Sequence, residues 1–396
     1  MKIKRLSIKN FRGIESLVLD FLPTDGSNLK DLLVFAGANG SGKTSIIEAC
    51  LLALGMKDAF RTSTVAKNDI REGCDDYLIE LTVAQGEKTY EFKKTSKSGS
   101  SRSLELTALL NGTPLEYFSS WREPKLAGPV TITAGRKGKR PALTEENRLW
   151  RLKQHLVNVT ARKAFGAAPN SQQGPSFDNE KSAFDRLQQL WGMFYPGNHD
   201  TFQALPVSDN VDEGFDLFIK YGRTEEMLST DALSSGEIEV LAFASTFVLT
   251  DFSGGILFID EPELHLHPAW QRIILPALQK IMPDTQIIAA THSPQVLSCI
   301  SPENVMLISK DKAELKITSP EDSFGLDSNR ILEDLMHVSE RPSEMKQRFD
   351  ELFSLIDNNQ LEPARLLIAE LKEVIHADPD LVKAETIIRR KEILGK

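Results

Sequence analysis

The stretch GILFIDEPELHLHPAW, Gly255 to Trp270, runs from apolar residues into a pair of carboxylates and then into a His-x-His pair. Carboxylate and imidazole both ligate zinc and iron, so Asp260, Glu261, His265 and His267 form one candidate metal set. The same residues admit a different chemistry. A nucleotide site needs an acid at the tip of a buried strand to hold Mg²⁺, and a neighbouring group to polarise an attacking water. The apolar run Ile256 to Ile259, ending in Asp260 with Glu261 next, meets that description.

The octapeptide GANGSGKT, Gly37 to Thr44, favours the second chemistry, because it matches G-x-x-x-x-G-K-[ST] in full. Its glycines let backbone N–H groups wrap phosphate oxygens, and the helix N-terminus behind them adds positive potential. Asn39, Gly40, Ser41, Gly42, Lys43, Thr44 and Ser45 are therefore the candidate phosphate contacts. Lys43 would reach the outer phosphates, and the Thr44 hydroxyl would share Mg²⁺ with Asp260. Farther along, the apolar run IIAATHS ends in His292, an imidazole placed to touch a terminal phosphate.

Strands and helices must hold these groups. LLVFAG is a continuous apolar run suited to a strand buried on both faces, and TSIIEACLLALGM after it has helical spacing. Ile3, Leu6, Ile8 and Phe11 mark an opening strand that bends at Arg12-Gly13, and SLVLDF a second. From about residue 62 the pattern changes. DDYLIELTVAQGEKTYEFKKTS predicts a hairpin turning at Gln85-Gly86-Glu87, and LELTALLNGTPLEYF a further one around Asn111-Gly112. GPVTITAG predicts a strand, while RLWRLKQHLVNVTARKAF and KSAFDRLQQLWGMFY predict helices. The buried α/β pattern returns at residue 233 with LSSGEIEVLAFASTFVLTDF (helix), GGILFID (strand), HPAWQRIILPALQKIM (helix), TQIIAATHS and ENVMLIS (strands). Apolar stripes from Met345 to Ile356 and from Leu361 to Ile375 predict a helical hairpin joined at Asn358-Asn359.

Bulk properties narrow the setting. The chain has 396 residues, 41% hydrophobic and 26% charged, as soluble globular proteins do. Cys50, Cys74 and Cys299 are too few and scattered for a disulfide framework, which suits a reducing compartment. The start is charged where a signal peptide is apolar, and no apolar run has the length of a membrane span. The expectation is a cytoplasmic protein with no membrane contact. Net charge is −9, yet residues 61–170 carry 19 Lys and Arg against 12 Asp and Glu. Lys93, Lys94, Lys97, Arg102, Arg136, Lys137, Lys139 and Arg140 in that basic segment are candidate contacts to a phosphate backbone.

The phosphate loop, LSSGE (Leu233 to Glu237), FIDEPELHLHP and ATHSP, in this order, resemble the ABC-type ATPases, in the soluble branch of SMC, Rad50, RecF and OLD-like proteins. The NFRGI opening, Asn10 to Ile14, is typical of that branch. The resemblance spans about residues 1–60 and 230–325. It implies a P-loop α/β core, a mixed sheet with flanking helices, interrupted by an α+β insertion over 61–229 and followed by a helical extension over 326–396. It implies ATP and Mg²⁺ as ligands, Asp260 and Thr44 on the metal, and Glu261 as the catalytic residue with His292 and Lys43. Arg12 resembles an arginine that approaches the nucleotide. Ser234 and Gly236 match the signature loop, in which Ser235 stands where the first glycine usually is. Residues 263–268 fall where the family has its D-loop, so the two histidines read as interface or structural groups.

In this family the signature serine caps the γ-phosphate held by a second copy, so a head-to-tail dimer closed by ATP is implied. A glutamine loop is not evident. Gln154 is its candidate by rough position only. The insertion lacks the heptads of a long coiled coil. The nuclease module that follows the ATPase in OLD proteins has no counterpart pattern in residues 326–396, so no nuclease activity is expected of this chain. GLDSNRILEDLMHVSERP and DPDLVKAETIIRRKEILGK resemble the PtuA-like ATPases of Septu and retron anti-phage systems, which work with a separate HNH nuclease in assemblies larger than a dimer. The implied role is an ATP-hydrolysing regulator of an effector nuclease that contacts nucleic acid, as DNA or a retron-type RNA–DNA. A RecF-like or Rad50-like repair ATPase is the alternative. A transporter's nucleotide-binding subunit is disfavoured by the NFRGI start and the large insertion.

Overall fold

The computed structural model describes residues 1–21, 29–56, 69–98, 104–110, 113–123, 125–132, 148–165, 178–210, 213–249, 254–311, 314–336 and 341–394. Arg102, Arg136, Lys137, Lys139 and Arg140 lie outside them. In chain order the first half holds β1 (Lys2–Phe11), β2 (Ile14–Asp20), β3 (Leu32–Ala36), α1 (Lys43–Ala53), β4 (Leu78–Gln85), β5 (Lys88–Thr95), α2 (Leu104–Leu110), β6 (Leu115–Phe118), α3 (Arg148–Phe165) and α4 (Asp178–Phe194). Then come β7 (Thr201–Pro206), β8 (Phe215–Lys220), β9 (Met227–Ser229), α5 (Ser235–Leu249), β10 (Ile256–Asp260), α6 (Pro268–Gln271), α7 (Ile274–Ile281), β11 (Gln286–Thr291), α8 (Pro294–Leu297), β12 (Val305–Asp311), β13 (Glu314–Thr318) and α9 (Ser328–Arg330). Three helices, α10 (Ser343–Asp357), α11 (Leu361–Val374) and α12 (Pro379–Leu394), complete the described chain. The chain divides into two compact units, Met1–Ile331 and Leu332–Lys396.

The first unit is built on a mixed six-stranded sheet of order β13-β12-β3-β11-β10-β6. All its pairings are parallel except β12 with β13. Every residue of β3, β10 and β11 is buried, which explains why these strands read as unbroken apolar runs rather than alternating ones. A four-stranded antiparallel sheet, β2-β1-β4-β5, packs with α1 on the other side. Helix α1 touches strands of both sheets and is buried along nearly its whole length, as a helix apolar all round must be. In β1 the inward residues Ile3 and Leu6 are three apart, which breaks the two-residue period. The ladder to β4 shifts register between Ile3 and Arg5, and that irregularity returns Leu6 and Ile8 to the core face.

Several sequence expectations change here. The hairpin turning at Gly86 forms, but β4 and β5 belong to the sheet of β1 rather than to a separate insertion. LELTALLNGTPLEYF is not a hairpin. Leu106 and Leu109, three apart, are the buried face of α2 among good helix formers, and β6 joins β10 in parallel instead. Gly255 permits that join, since a Cβ there would sit 2.2 Å from the Pro114 carbonyl oxygen. The described part of GPVTITAG makes one bridge, Val130 to Phe215, and no strand. HPAWQRIILPALQKIM breaks into α6 and α7, because Pro276 has no N–H to offer a helix interior and is accommodated in the first turn of α7. A three-stranded sheet, β7-β8-β9, beside α3 and α4 was not foreseen.

The second unit is a three-helix cluster. Phe349, Leu352 and Ile356 of α10, Ala364, Ile368 and Leu371 of α11, and Leu381, Ala384 and Ile388 of α12 form its core. The two stripes predicted as a hairpin are thus joined by a third helix.

Candidate functional site

β3 ends at Ala36, and the chain turns through Gly37 to Gly42 into α1. Gly40 and Gly42 hold φ of 76° and 103°, a left-handed backbone that glycine adopts without strain. Gly37 meets a steric demand instead, for a Cβ there would lie 2.2 Å from the Ile308 carbonyl oxygen on β12. Lys43 Nζ folds over the loop and donates to the carbonyls of Gly37 (2.7 Å) and Ala38 (3.0 Å). Ser41 Oγ is buried with no hydrogen-bond partner. Asn39 and Gly40 are exposed, and Thr44 and Ser45 are half-buried on the first turn of α1.

The parallel pairing of β10 with β11, and of β11 with β3, brings Asp260 to the same edge of the sheet as the loop. Thr44 Oγ1 donates to Asp260 Oδ2 at 2.8 Å, joining residues 216 positions apart. Burial pushes the Asp260 carboxyl above the usual range, against hydrogen bonds from Thr44 and Ser120 that favour its charge. Burial also lowers Lys43, opposed by the charges of Asp260, Glu261 and Glu263. A buried acid in need of positive charge, a hydroxyl already on it, and the unpartnered Ser41 hydroxyl in the loop fit a triphosphate with a divalent cation.

Glu261 follows with φ of 54°, uncommon outside glycine. Its N–H donates to Ala290 O at 2.8 Å and its carbonyl accepts from Arg122 Nη2 at 2.5 Å. His292 Nδ1 lies 3.4 Å from Glu261 Oε1 and 3.6 Å from Glu263 Oε1. Glu263 is buried and accepts from Thr291 Oγ1 (2.8 Å) and the His292 N–H (2.9 Å), which fixes the turn after β11. His265 and His267 make other contacts. His265 Nε2 is 3.3 Å from Arg122 O, and His267 caps α6, its Nδ1 accepting from Ala269 N–H at 3.3 Å.

Ser234 is exposed at the N-terminus of α5, where its N–H and Oγ both donate to Glu237 Oε2, at 2.8 and 2.7 Å. This is the reciprocal cap that S-x-x-E spells. Gly236 is buried, and a Cβ there would be 2.8 Å from His265 O. Arg12 (φ 49°) is not an isolated cation. It pairs with Glu48 of α1 and, through Nε at 3.0 Å, with Asp69. Its Nη2 is buried without a partner. Gln154 lies on α3 and donates to Thr131 O at 2.7 Å. The polar side chain that reaches Asp260 from the end of the adjacent strand β6 is Ser120 instead.

Sequence reasoning missed Arg122. Its buried guanidinium binds Glu239 Oε1 of α5 (2.5 Å) and the carbonyls of Ser119 (2.9 Å), Asp260 (2.6 Å) and Glu261 (2.5 Å). Nothing in the local pattern WREPK marks it, because its partners come from α5 and β10.

A glycine loop into α1, an acid pair at the end of a parallel strand of the same sheet, and a serine-capped helix define a P-loop ATPase. Residues 32–298 match the family described as "AAA domain, putative AbiEii toxin, Type IV TA system", and the chain belongs to that family. Its fold is that of SMC heads. The SMC head bound to the C-winged helix domain of ScpA is similar with a TM-score of 0.55 at 15% identity, covering 81% of this chain and 98% of that one. The SMC head from Pyrococcus yayanosii is similar with a TM-score of 0.52 at 11% identity, covering 84% and 99%. Among curated relatives, "Retron Ec83 probable ATPase" of Escherichia coli is 24% identical across 99% of this chain and 86% of its own. "Septu protein PtuA" of Bacillus mycoides is 23% identical across 80% of this chain, which spans 42% of that relative's length. The "OLD nuclease" of Thermus scotoductus is 25% identical across 83% of this chain and 66% of its own. No helix among the described residues is long and apolar enough to cross a membrane.

Proposed function

We propose that this chain is the ATP-hydrolysing regulatory subunit of an anti-phage defence complex, controlling a separately encoded HNH-type nuclease and contacting nucleic acid. The observation that carries the reading is the Thr44–Asp260 contact, with Lys43 and Glu261 beside it. In this reading Lys43 turns from the loop carbonyls to the outer phosphates, and the Ser41 hydroxyl and loop N–H groups take the remaining oxygens. Thr44 and Asp260 would hold Mg²⁺, which when bound would supply positive charge to the phosphates. Glu261 accepts the proton of the attacking water, while His292, close to Glu261 and Glu263, faces the terminal phosphate.

A second copy supplies Ser234 and Gly236. The exposure of Ser234 at the start of α5 supports this. ATP then stabilises the closed pair and hydrolysis releases it, a two-state element biased by ligand. Lys93, Lys94 and Lys97, at and just beyond the end of β5, are the described members of the candidate contact set and the first candidates for a phosphate backbone. The defence role rests on the retron ATPase relative, whose match spans nearly the whole chain. The RecF relative of Leptospira interrogans is 36% identical over only 26% of this chain, so the repair reading has less support.

The test is to purify the chain with the products of its neighbouring genes and assay nuclease activity with and without ATP, beside a Glu261→Gln variant. The reading expects an associated nuclease whose output follows the ATP state, and an ATP-closed assembly in the variant. Parental ATP turnover in Glu261→Gln would remove Glu261 from its role. A nuclease indifferent to ATP, or none associated, would remove the regulatory role.

A further inference from the structure

We propose that Tyr195, at the end of α4, is a positioning residue for the signature serine, acting through Glu237. This deepens the proposed closure mechanism and rests on it. Glu237 has two carboxylate oxygens and both are committed. Oε2 accepts the N–H and the hydroxyl of Ser234, at 2.8 and 2.7 Å. Oε1 accepts the Tyr195 phenol at 2.6 Å. With Oε1 anchored, the carboxylate cannot rotate about its terminal torsion, which is otherwise soft. Oε2 is therefore held facing Ser234, and the serine's hydroxyl is preset at the mouth of α5.

The phenol is itself fixed. The Tyr195 ring stacks on Trp191 at 4.9 Å and meets the edge of Trp270 at 5.2 Å. Phe194 meets Trp270 at 5.5 Å, and Trp191 Nε1 donates to Asp200 Oδ2 at 3.0 Å. Asp200 Oδ1 in turn accepts the N–H of Gly222, in the turn between β8 and β9. Trp270 also lies 3.4 Å from where a Cβ would stand on Gly236, so one indole packs on both the phenol and the signature loop. A chain of contacts thus runs from the β8–β9 turn, through α4, to the serine that a second copy's nucleotide would meet.

The experiment uses the full chain in a Glu261→Gln background and reads ATP-driven association by sedimentation. Tyr195→Phe keeps the ring stacking and removes only the hydroxyl. It should raise the protein concentration for half-association about tenfold, in line with loss of a hydrogen bond to a charged group. Binding of a fluorescent ATP analogue to the unassociated chain should not change. If the phenol acts through Glu237, Tyr195→Phe should add nothing to Glu237→Met, which leaves the phenol no acceptor there, whereas a merely structural tyrosine would add its own effect. Parental association by Tyr195→Phe, or additivity with Glu237→Met, would overturn the proposal. Ser234→Arg is the control for the reading beneath it. If that variant associates normally, the signature assignment fails and the tyrosine falls with it. If it does not associate while Tyr195→Phe behaves as the parent, only the tyrosine's role is lost.

Discussion

Replacing Arg122 with Met should uncouple two things that the wild-type side chain supplies together, fold stability and active-site geometry. The side chains of Arg122 and Glu239 are 3% and 2% exposed, so the substitution strands a buried carboxylate with no cation. Breaking a buried pair from one side costs about 3–5 kcal/mol, most of it the uncompensated charge. The three carbonyls that lose their donor, of Ser119, Asp260 and Glu261, place the expected loss toward the upper end. Removing both charges in Arg122→Met/Glu239→Leu should recover most of that loss, because a well-packed apolar pair can replace a buried ion pair at little cost. ATPase activity should not recover with it. The Glu261 carbonyl still lacks its donor, leaving only the N–H tether to Ala290, and a displacement of about 1 Å at a reacting group costs on the order of a hundredfold. Urea unfolding followed by tryptophan fluorescence measures the first quantity cleanly, since Trp121, Trp150, Trp191 and Trp270 all lie in the Met1–Ile331 unit. Steady-state phosphate release measures the second. A single variant as stable as the parent would refute the electrostatic argument, and a double variant with parental turnover would refute the positioning argument.

Three further outcomes are expected. Gly37→Ala should weaken ATP binding by about tenfold or more in a nucleotide titration, because its Cβ would drive the loop off the Ile308 carbonyl. Gly236→Ala, facing the His265 carbonyl at 2.8 Å, should cost about 1–3 kcal/mol of unfolding free energy in a urea titration and slow hydrolysis, even though alanine is the better helix former. In the Leu332–Lys396 unit Arg341 binds Asp378 through both nitrogens, at 2.8 and 3.0 Å, and holds that carboxyl below its usual range. A depressed carboxyl stabilises the fold above its unfolded value and loses that contribution as pH falls through the folded one. Protection of α10–α12 against hydrogen exchange should therefore drop below about pH 4 in the parent. Asp378→Asn should be less protected at neutral pH and show less of that drop.

The nucleotide motifs were legible because each is local. A glycine loop needs its neighbours in sequence, and Lys43, Thr44, Asp260, Glu261 and His292 do converge on one edge of the sheet. Buried strands were legible for a similar reason, since β3, β10 and β11 are apolar on both faces. Pairing partners were not. A strand such as LEYF carries no mark of whether it will fold back on its neighbour or cross to β10, so its local pattern reads as half of a hairpin. Nor does YEFKKT reveal that it extends the sheet of β1, a pairing set by the packing of α1 between two sheets. Arg122 and Tyr195 were hidden because their importance lies wholly in partners distant in sequence.

The backbone gives these hidden residues their physical logic. Asn10, Arg12, Glu261 and His265 all hold positive φ without being glycine, and each belongs to the opening NFRGI or to the acid strand's exit. Such conformations persist only when surrounding contacts over-determine them. At Glu261 the tethers are explicit, with the N–H fixed to Ala290 of β11 and the carbonyl fixed to Arg122. At Arg12 the N–H donates to Asp69 O while the side chain is divided between Asp69 and Glu48. His265 is held through its ring to Arg122 O, and its carbonyl limits what can stand at position 236. The same arginine thus steadies the strained turn after Asp260, meets the His265 ring through its carbonyl and pairs with the helix that Ser234 begins. A shift of α5 cannot leave the Glu261 backbone unaffected while that guanidinium is in place. The chemical groups come from short motifs, but their mutual geometry depends on one buried cation that no motif contains.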